Sequence, residues 1–344
     1  MAKTAKAIDW ESRIGRRLRL RDLHIFFAVA ESGSMAKAGA LLRVTQPAVS
    51  KAISDLEAAV GVRLLDRSPR GVEPTVYGNA LLESGSAAFD ELRQGVRKIE
   101  HLADPSAGEL RIGCQAVLAG TMLPPIIEQL SRRYPRLAFE VTLLSSPNFE
   151  FPDLRGRTID IMLAALPKPV ADSKFPDDVN AEIVFEDRMF IVAGAQSRWA
   201  RRRKIELAEL IGEPWHISPE GSVSRSFIDA VFAAKKLPLP QIKVASYSVP
   251  LQYSLCATGD FISATSGLTL HFQRHGVKAL PVDLPVWPWP VAVVTLKNRT
   301  LNPLVNVFVE HVRAFFSELR RHIERRTQTA TMRRRRSSLR PGAT

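Results

Sequence analysis

Between Asp22 and Gly78 the chain compresses three helical patterns, a run of arginines punctuated by prolines and the start of a long amphipathic stretch. No other part of the sequence restricts the fold as tightly. Leu23, Phe26, Phe27 and Ala30 recur at helical spacing, Gly33 suits the left-handed residue that closes a helix, and Ser34 suits the cap of the next one. The pattern predicts a second helix over about Met35–Leu42, with small Ala36, Ala38, Gly39 and Ala40 leaving room for a neighbour. Arg43 and Val44 make the turn. Thr45 offers an acceptor to the free N–H groups of a third helix, and Pro47 removes no intrahelical bond in a first turn. On that helix Val49, Ala52, Ile53, Leu56 and Val60 form one apolar stripe, which turns Gln46, Pro47, Ser50, Lys51 and Ser54 outward. These types suit a major groove: Gln pairs with adenine, Lys reaches guanine acceptors or phosphate, Ser bonds either, and Pro meets a thymine methyl.

Gly61 ends the third helix, and VRLLDRSPRGVEPT follows, in which Pro69, Gly71 and Pro74 force turns. This segment reads as a wing. Arg63, Arg67 and Arg70 are then placed to grip phosphates or enter a minor groove, or to pair with Asp66 or Glu73. Thr75 can cap a long helix on which Leu82, Phe89, Val96 and Ala103 repeat every seven residues, with Leu92 and Ile99 at the complementary position. That is the pattern of a coiled-coil seam, interrupted at Gly85 and locally weakened at Gly95. A dimer contact is expected here, setting two recognition helices on the half-sites of an inverted repeat.

The run TQPAVSKAISDLEAAVGVRLLDRSPRGVEPTVYG resembles the amino-terminal signature of the LysR-type transcriptional regulators. The resemblance is dense from Leu20 to about Leu102, and beyond that rests on length and strand-helix order. It implies an all-α winged helix-turn-helix, a dimerising linker helix, and an α/β effector domain of the periplasmic-binding-protein type with two lobes. Position by position, it implies DNA contacts at Gln46, Pro47, Ser50, Lys51 and Arg67, with Arg70 a neighbouring candidate.

The 344 residues exceed the usual single domain, and 45% hydrophobic content without a long apolar run argues against a membrane span. The polar start MAKTAKAIDWESRIGRR lacks a secretory signal, and two cysteines, Cys114 and Cys256, make neither a disulfide framework nor a zinc spacing. A cytoplasmic location is expected. The net charge of +13 sits at the ends: residues 1–21 hold seven Lys or Arg against two acids, and residues 320–344 nine Arg against one Glu. The body between them is neutral, so overall basicity says nothing about the groove-reading helix. Arg333–Arg336 reads as a disordered arm able to hold DNA phosphates, or as a solvated tail.

Strand-like runs ELRIGC, AFEVTLL, IDIMLAAL and EIVFEDRMFIVAG alternate with helical Leu123–Arg133 and Val223–Ala234, the order of an α/β sheet. The expected organisation is a basic extension over 1–19, the winged head over 20–78, the linker over 75–103, an effector domain over 109–320 and a basic tail over 321–344. Lobe I would hold 109–166 and 273–320 and lobe II 167–272, with crossings at Ala165–Pro169 and Thr265–Phe272. Ligands of such sheets sit beyond strand carboxyl ends and at helix amino-termini. Gln115, Val117, Ser145, Ser146, Ser218 and Thr265 are therefore the candidate effector residues, for an organic acid, an aromatic or a sugar. Apolar Val117 and Leu118 tilt the choice towards an aromatic.

His271 and His275 stand four apart, but HFQRH lacks the glutamate of a metalloprotease motif and any evident third ligand, so no metal is expected. No GxSxG, GxGxxG or P-loop is present, so neither catalytic residue nor cofactor is expected. An exported solute-binding protein or an enzyme with an incidental helix-turn-helix is the disfavoured alternative. The expected partners are double-stranded operator DNA, a small-molecule effector, RNA polymerase and further copies of the chain, as a homodimer or homotetramer.

Overall fold

The computed structural model describes residues 17–68, 71–144, 151–166, 175–272, 276–284 and 288–338, with backbone alone over 322–338. It divides into two compact units within one long helix, between Arg93 and Gln94.

The first unit contains α1 (Leu20–Ser32), α2 (Met35–Leu42), α3 (Gln46–Val60), the hairpin β1 (Leu65–Ser68) and β2 (Gly71–Pro74), and the start of α4 (Val76–Ala103). The caps fall where the sequence puts them. Gly33 and Gly61 are left-handed at φ 64° and 77°, Ser34 Oγ accepts from Lys37 N, and Thr45 Oγ1 accepts from Ala48 N. Arg43 is also left-handed, at φ 56°, and its N–H returns to the end of α2. Phe26, Val29, Ala38, Val49, Ile53 and Leu56 form the centre of the core. Among the bonds that hold the wing, Glu57 Oε1 accepts from Leu64 N at 2.8 Å, and Val72 N donates to Gly33 O at 2.9 Å.

Thr75 Oγ1 caps α4 by accepting from Gly78 N at 3.1 Å. Three apolar positions in the first half of α4 are not kept for a partner. Leu81, Leu82 and Phe89 pack on the head's own core, and Phe89 makes edge contacts with Phe27 and His24. Gly85 permits this, because a Cβ there would lie 2.9 Å from the Phe27 ring. The seam expected from the heptad, in which Leu82 and Phe89 joined Val96 and Ala103, is corrected on this point. In the later half Leu92, Val96, Ile99 and Leu102 form a bare stripe, 51%, 54%, 68% and 74% exposed.

In chain order the second unit adds β3 (Ala107–Gln115), α5 (Ala116–Ala119), α6 (Leu123–Arg133), β4 (Arg136–Leu144), α7 (Pro152–Arg155), β5 (Ile161–Ala165), β6 (Val179–Asp187) and β7 (Met189–Gly194). It continues with β8 (Trp215–Ile217), α8 (Val223–Ala234), β9 (Ile242–Ala245), α9 (Val249–Ala257), β10 (Ile262–Ser266), α10 (Gly267–Phe272), β11 (Val277–Ala279), β12 (Trp289–Leu296) and α11 (Pro303–Ser338). The strands form two five-stranded sheets, β4-β3-β5-β12-β6 in lobe I and β11-β7-β10-β8-β9 in lobe II. α11 lays Leu304, Val305, Phe308, Val312, Phe316 and Leu319 on lobe I at helical spacing.

The lobe boundaries differ from expectation. β6 pairs with β12 along its length, from Asp187↔Trp289 to Val179↔Leu296, so lobe I continues to Asp187 and the chain crosses at Arg188. β11 pairs with β7 in lobe II, so the return falls between Ala279 and Trp289 rather than at Thr265–Phe272. EIVFEDRMFIVAG is thus two strands in two sheets. The backbone over Arg333–Arg336 is helical within α11, not the disordered arm expected from its charge.

Candidate DNA-reading surface and ligand cavity

The outer face of α3 is free of the head's core. Gln46, Pro47, Lys51 and Ser54 are exposed and Ser50 half-buried, while Val49, Ala52, Ile53 and Leu56 on the opposite face are buried. Ser54 Oγ donates to Ser50 O at 3.0 Å, which turns that hydroxyl back on its own helix. Beside them the hairpin presents exposed Arg67, paired in register with Val72. Arg70 lies outside the described residues. The α3 side chains supply amide, hydroxyl and ammonium groups on one convex helix of the width a major groove admits.

A second feature lies between the lobes, a cavity of about 310 Å³. Lobe I contributes the carboxyl ends of β3 and β5, where Ala165 N donates to Gln115 Oε1 at 3.0 Å and Gln115 Nε2 donates to Ala165 O at 3.4 Å. This clasp uses one donor and one acceptor of the amide to brace the two strands, leaving the other N–H and lone pair for the cavity. Lobe II contributes Ser218, the start of α8 at Ser222–Ser224, and the end of β10 at Thr265 and Ser266. Ser222 Oγ accepts from Arg225 N at 3.2 Å, so its hydroxyl caps α8 at the cavity wall. Val117, Leu118, Leu143, Met189, Val249 and Val291 make most of the remaining lining apolar. Of the sequence candidates, Gln115, Val117, Ser218 and Thr265 come together here, whereas Ser145 and Ser146 lie outside the described residues.

Several lining residues escaped the sequence reading. Asp187 sits at the crossing between lobes and lines the cavity while accepting from Arg188 N at 2.7 Å and Leu268 N at 3.2 Å. Burial pushes its carboxyl above the usual range against the pull of those N–H groups. Tyr247 and Gln252 flank the start of α9, which Ser248 as cap and Pro250 in the first turn would have signalled. Trp289 fills the lobe II core and also forms part of the wall; Trp287 and His275 lie outside the described residues. Among the described residues, no lysine or arginine lines the cavity.

The two cysteines, Cys114 and Cys256, both lie in the second unit. Both are buried and free; burial raises the Cys114 thiol far above its ordinary range and pushes that of Cys256 up to about 12. No helix among the described residues is long and apolar enough to cross a membrane.

Known proteins agree with this two-part arrangement. The family model "Bacterial regulatory helix-turn-helix protein, lysR family" matches residues 20–79, and the model "LysR substrate binding domain" matches residues 103–317. The chain is similar to the HTH-type transcriptional regulator GbpR of Azospirillum brasilense, 28% identical over 311 residues that cover 90% of each chain. It is also similar to the transcriptional dual regulator GltC of Bacillus subtilis, 29% identical over 316 residues, 89% of this chain and 100% of the other. In fold it resembles full-length CbnR complexed with its target DNA, at a TM-score of 0.62 and 20% identity over 87% of this chain and 100% of that one. Full-length OxyR from Pseudomonas aeruginosa gives a TM-score of 0.62 at 20% identity, over 86% and 95%. Such structural likenesses establish the fold alone, but the second family model by itself spans more than half of the chain. With a helix-turn-helix head, a long linker helix and a two-lobed α/β domain, the chain belongs to the LysR family of DNA-binding transcriptional regulators.

Proposed function

We propose that the protein is an effector-responsive regulator that reads operator DNA through α3 and the wing and binds a small organic ligand between its two lobes. The observation that carries this reading is the cavity, bounded by the carboxyl ends of β3, β5 and β10 and by the start of α8. Gln46, Pro47, Ser50 and Lys51 contact base edges and Arg67 and Arg70 the backbone or minor groove. The bare stripe of Leu92, Val96, Ile99 and Leu102 pairs with a second copy, which sets two heads on an inverted repeat and allows a further pairing into tetramers. The ligand is a small aromatic or partly apolar acid or a sugar, held by Gln115, Ser218 and Thr265 against an apolar wall. Binding favours one arrangement of the lobes, alters the setting of the paired heads, and so changes DNA bending and contact with RNA polymerase in the cytoplasm.

The test is a thermal-shift screen of the full chain against aromatic acids, sugars and amino acids. A true effector raises the melting temperature in a saturable way, loses this effect when Ala116→Phe fills the cavity, and changes affinity for duplexes selected from random sequence. A stabilising compound whose effect survives Ala116→Phe binds elsewhere, and the reading fails for it.

A further inference from the structure

Asp160, fully buried immediately before β5, accepts bonds from three arginines of three different segments. Arg111 of β3 reaches it through N at 3.1 Å, Nε at 3.3 Å and Nη2 at 2.7 Å. Arg299, between β12 and α11, donates Nη2 at 3.1 Å. The third is Arg97 of the linker helix α4, whose Nη1 lies 3.1 Å from each carboxylate oxygen. Burial works against the charge on Asp160, but the bonds and charge of Arg111 and the charge of Arg97 outweigh it and hold the carboxyl below its usual range. Arg111 and Arg299 belong to lobe I itself. Arg97 fastens the linker to it.

The strands that carry this fastening also wall the cavity. β3 and β5 are parallel neighbours, in register from Ile112↔Ile161 to Cys114↔Leu163. Arg111 and Asp160 sit at one end of the pair, and the clasp between Gln115 and Ala165 closes the other. The separation is four to five residues, about 13–17 Å at ordinary strand rise. Ile112, Cys114, Ile161 and Leu163 between the ends are all fully buried, so a shift at one end meets close packing rather than slack on the way to the other.

We infer that Arg97 is the positioning residue through which occupation of the cavity resets the linker helix, by way of β3, β5 and Asp160. The inference rests on reading the cavity as a ligand site. Removing Arg97 leaves Asp160 bonded to Arg111 and Arg299, so the sheet keeps its buried charge compensated and only the fastening is lost.

A covalent occupant avoids the need for a known effector. With Cys114 and Cys256 buried, Ser218→Cys gives an accessible thiol at the cavity. Its thiolate displaces methanesulfinate from benzyl methanethiosulfonate and leaves a benzyl disulfide, verified by mass. Hydrogen exchange is then followed in residues 94–103 and 113–119, with Arg97 present and in Arg97→Met and Arg97→Lys. Labelling is expected to change exchange in 94–103 by about fivefold or more with Arg97 present, the low end of ordinary coupling strengths. It should leave that segment unchanged in Arg97→Met, with partial recovery in Arg97→Lys. A purely structural role would raise exchange in 94–103 equally with and without the label, which overturns the inference, as does a label response that persists in Arg97→Met. If 113–119 responds but 94–103 does not, the route through Arg97 fails alone. If neither responds, the cavity reading fails, and the inference with it.

Discussion

Asp160→Asn removes the one buried negative charge that three guanidinium groups share while preserving the shape of the side chain. The side chain of Arg299 is 1% exposed and that of Arg111 11%, so neither can recover its hydration when the carboxylate is gone. Breaking a buried pair by neutralising one partner costs about 3–5 kcal/mol, chiefly because the other charge stays buried. At roughly 2–4 °C per kcal/mol for a domain of this size, the melting temperature should fall by about 6–20 °C at neutral pH. Four of the five tryptophans, Trp199, Trp215, Trp287 and Trp289, belong to the second unit, so fluorescence-detected urea unfolding reports on the part that carries Asp160. The pH dependence follows from a folded-state pKa held below the unfolded value. The carboxylate's contribution is complete above the unfolded pKa of about 3.9 and is lost as pH falls through the depressed folded value. The gap between wild type and Asp160→Asn should therefore be widest near neutrality and close in strong acid. A penalty below about 1 kcal/mol at pH 7, within the range of an ordinary surface pair, or a gap of constant size down to strong acid, would refute the assignment of Asp160 as the compensating charge.

The other expectations concern DNA and assembly. Ser50→Ala with Lys51→Ala should weaken binding to a selected operator more than binding to scrambled duplex, and an unchanged footprint at moderate salt would remove these residues from base reading. Leu92→Glu with Val96→Glu puts like charges on the bare stripe of α4 without touching the head's core, so sedimentation should show loss of the dimer while the head's own unfolding is unaffected. The same oligomer in that variant would exclude the stripe. Deleting residues 327–344 should lower the slope of log affinity against log salt by about 0.9 for each phosphate that the tail neutralises, equally on operator and scrambled DNA. A weakening confined to the operator would show that the tail chooses bases, and an unchanged slope would mean that it grips no phosphate.

Legibility in the sequence followed how local each determinant is. The caps at Ser34, Thr45 and Thr75, the left-handed Gly33 and Gly61, and the buried face of α3 depend on neighbours a few residues away and were readable directly. That Gln115, Val117, Ser218 and Thr265 would meet at one cavity was readable because strand ends and loop chemistry coincide there. The division of EIVFEDRMFIVAG was not, since alternation reports burial on a sheet and not which sheet; only the Glu186-Asp187-Arg188 break in the apolar run hinted at a crossing. Likewise a heptad cannot say whether Phe89 meets a second chain or its own head. That choice is made by Gly85, whose missing side chain admits Phe27.

The head also outruns its motif. The helix-turn-helix family match stops at residue 79, whereas Leu81, Leu82 and Phe89 still pack on the head's core. A fragment cut at the motif's edge would lose these partly buried side chains, each worth less than the ~1.5–3 kcal/mol of full burial but together a serious loss for so small a core. Chimaeras that graft this head onto another sensor should therefore be joined near Arg93, where the first unit ends, rather than at Gly78. The portable piece is the winged head together with the first half of its linker helix.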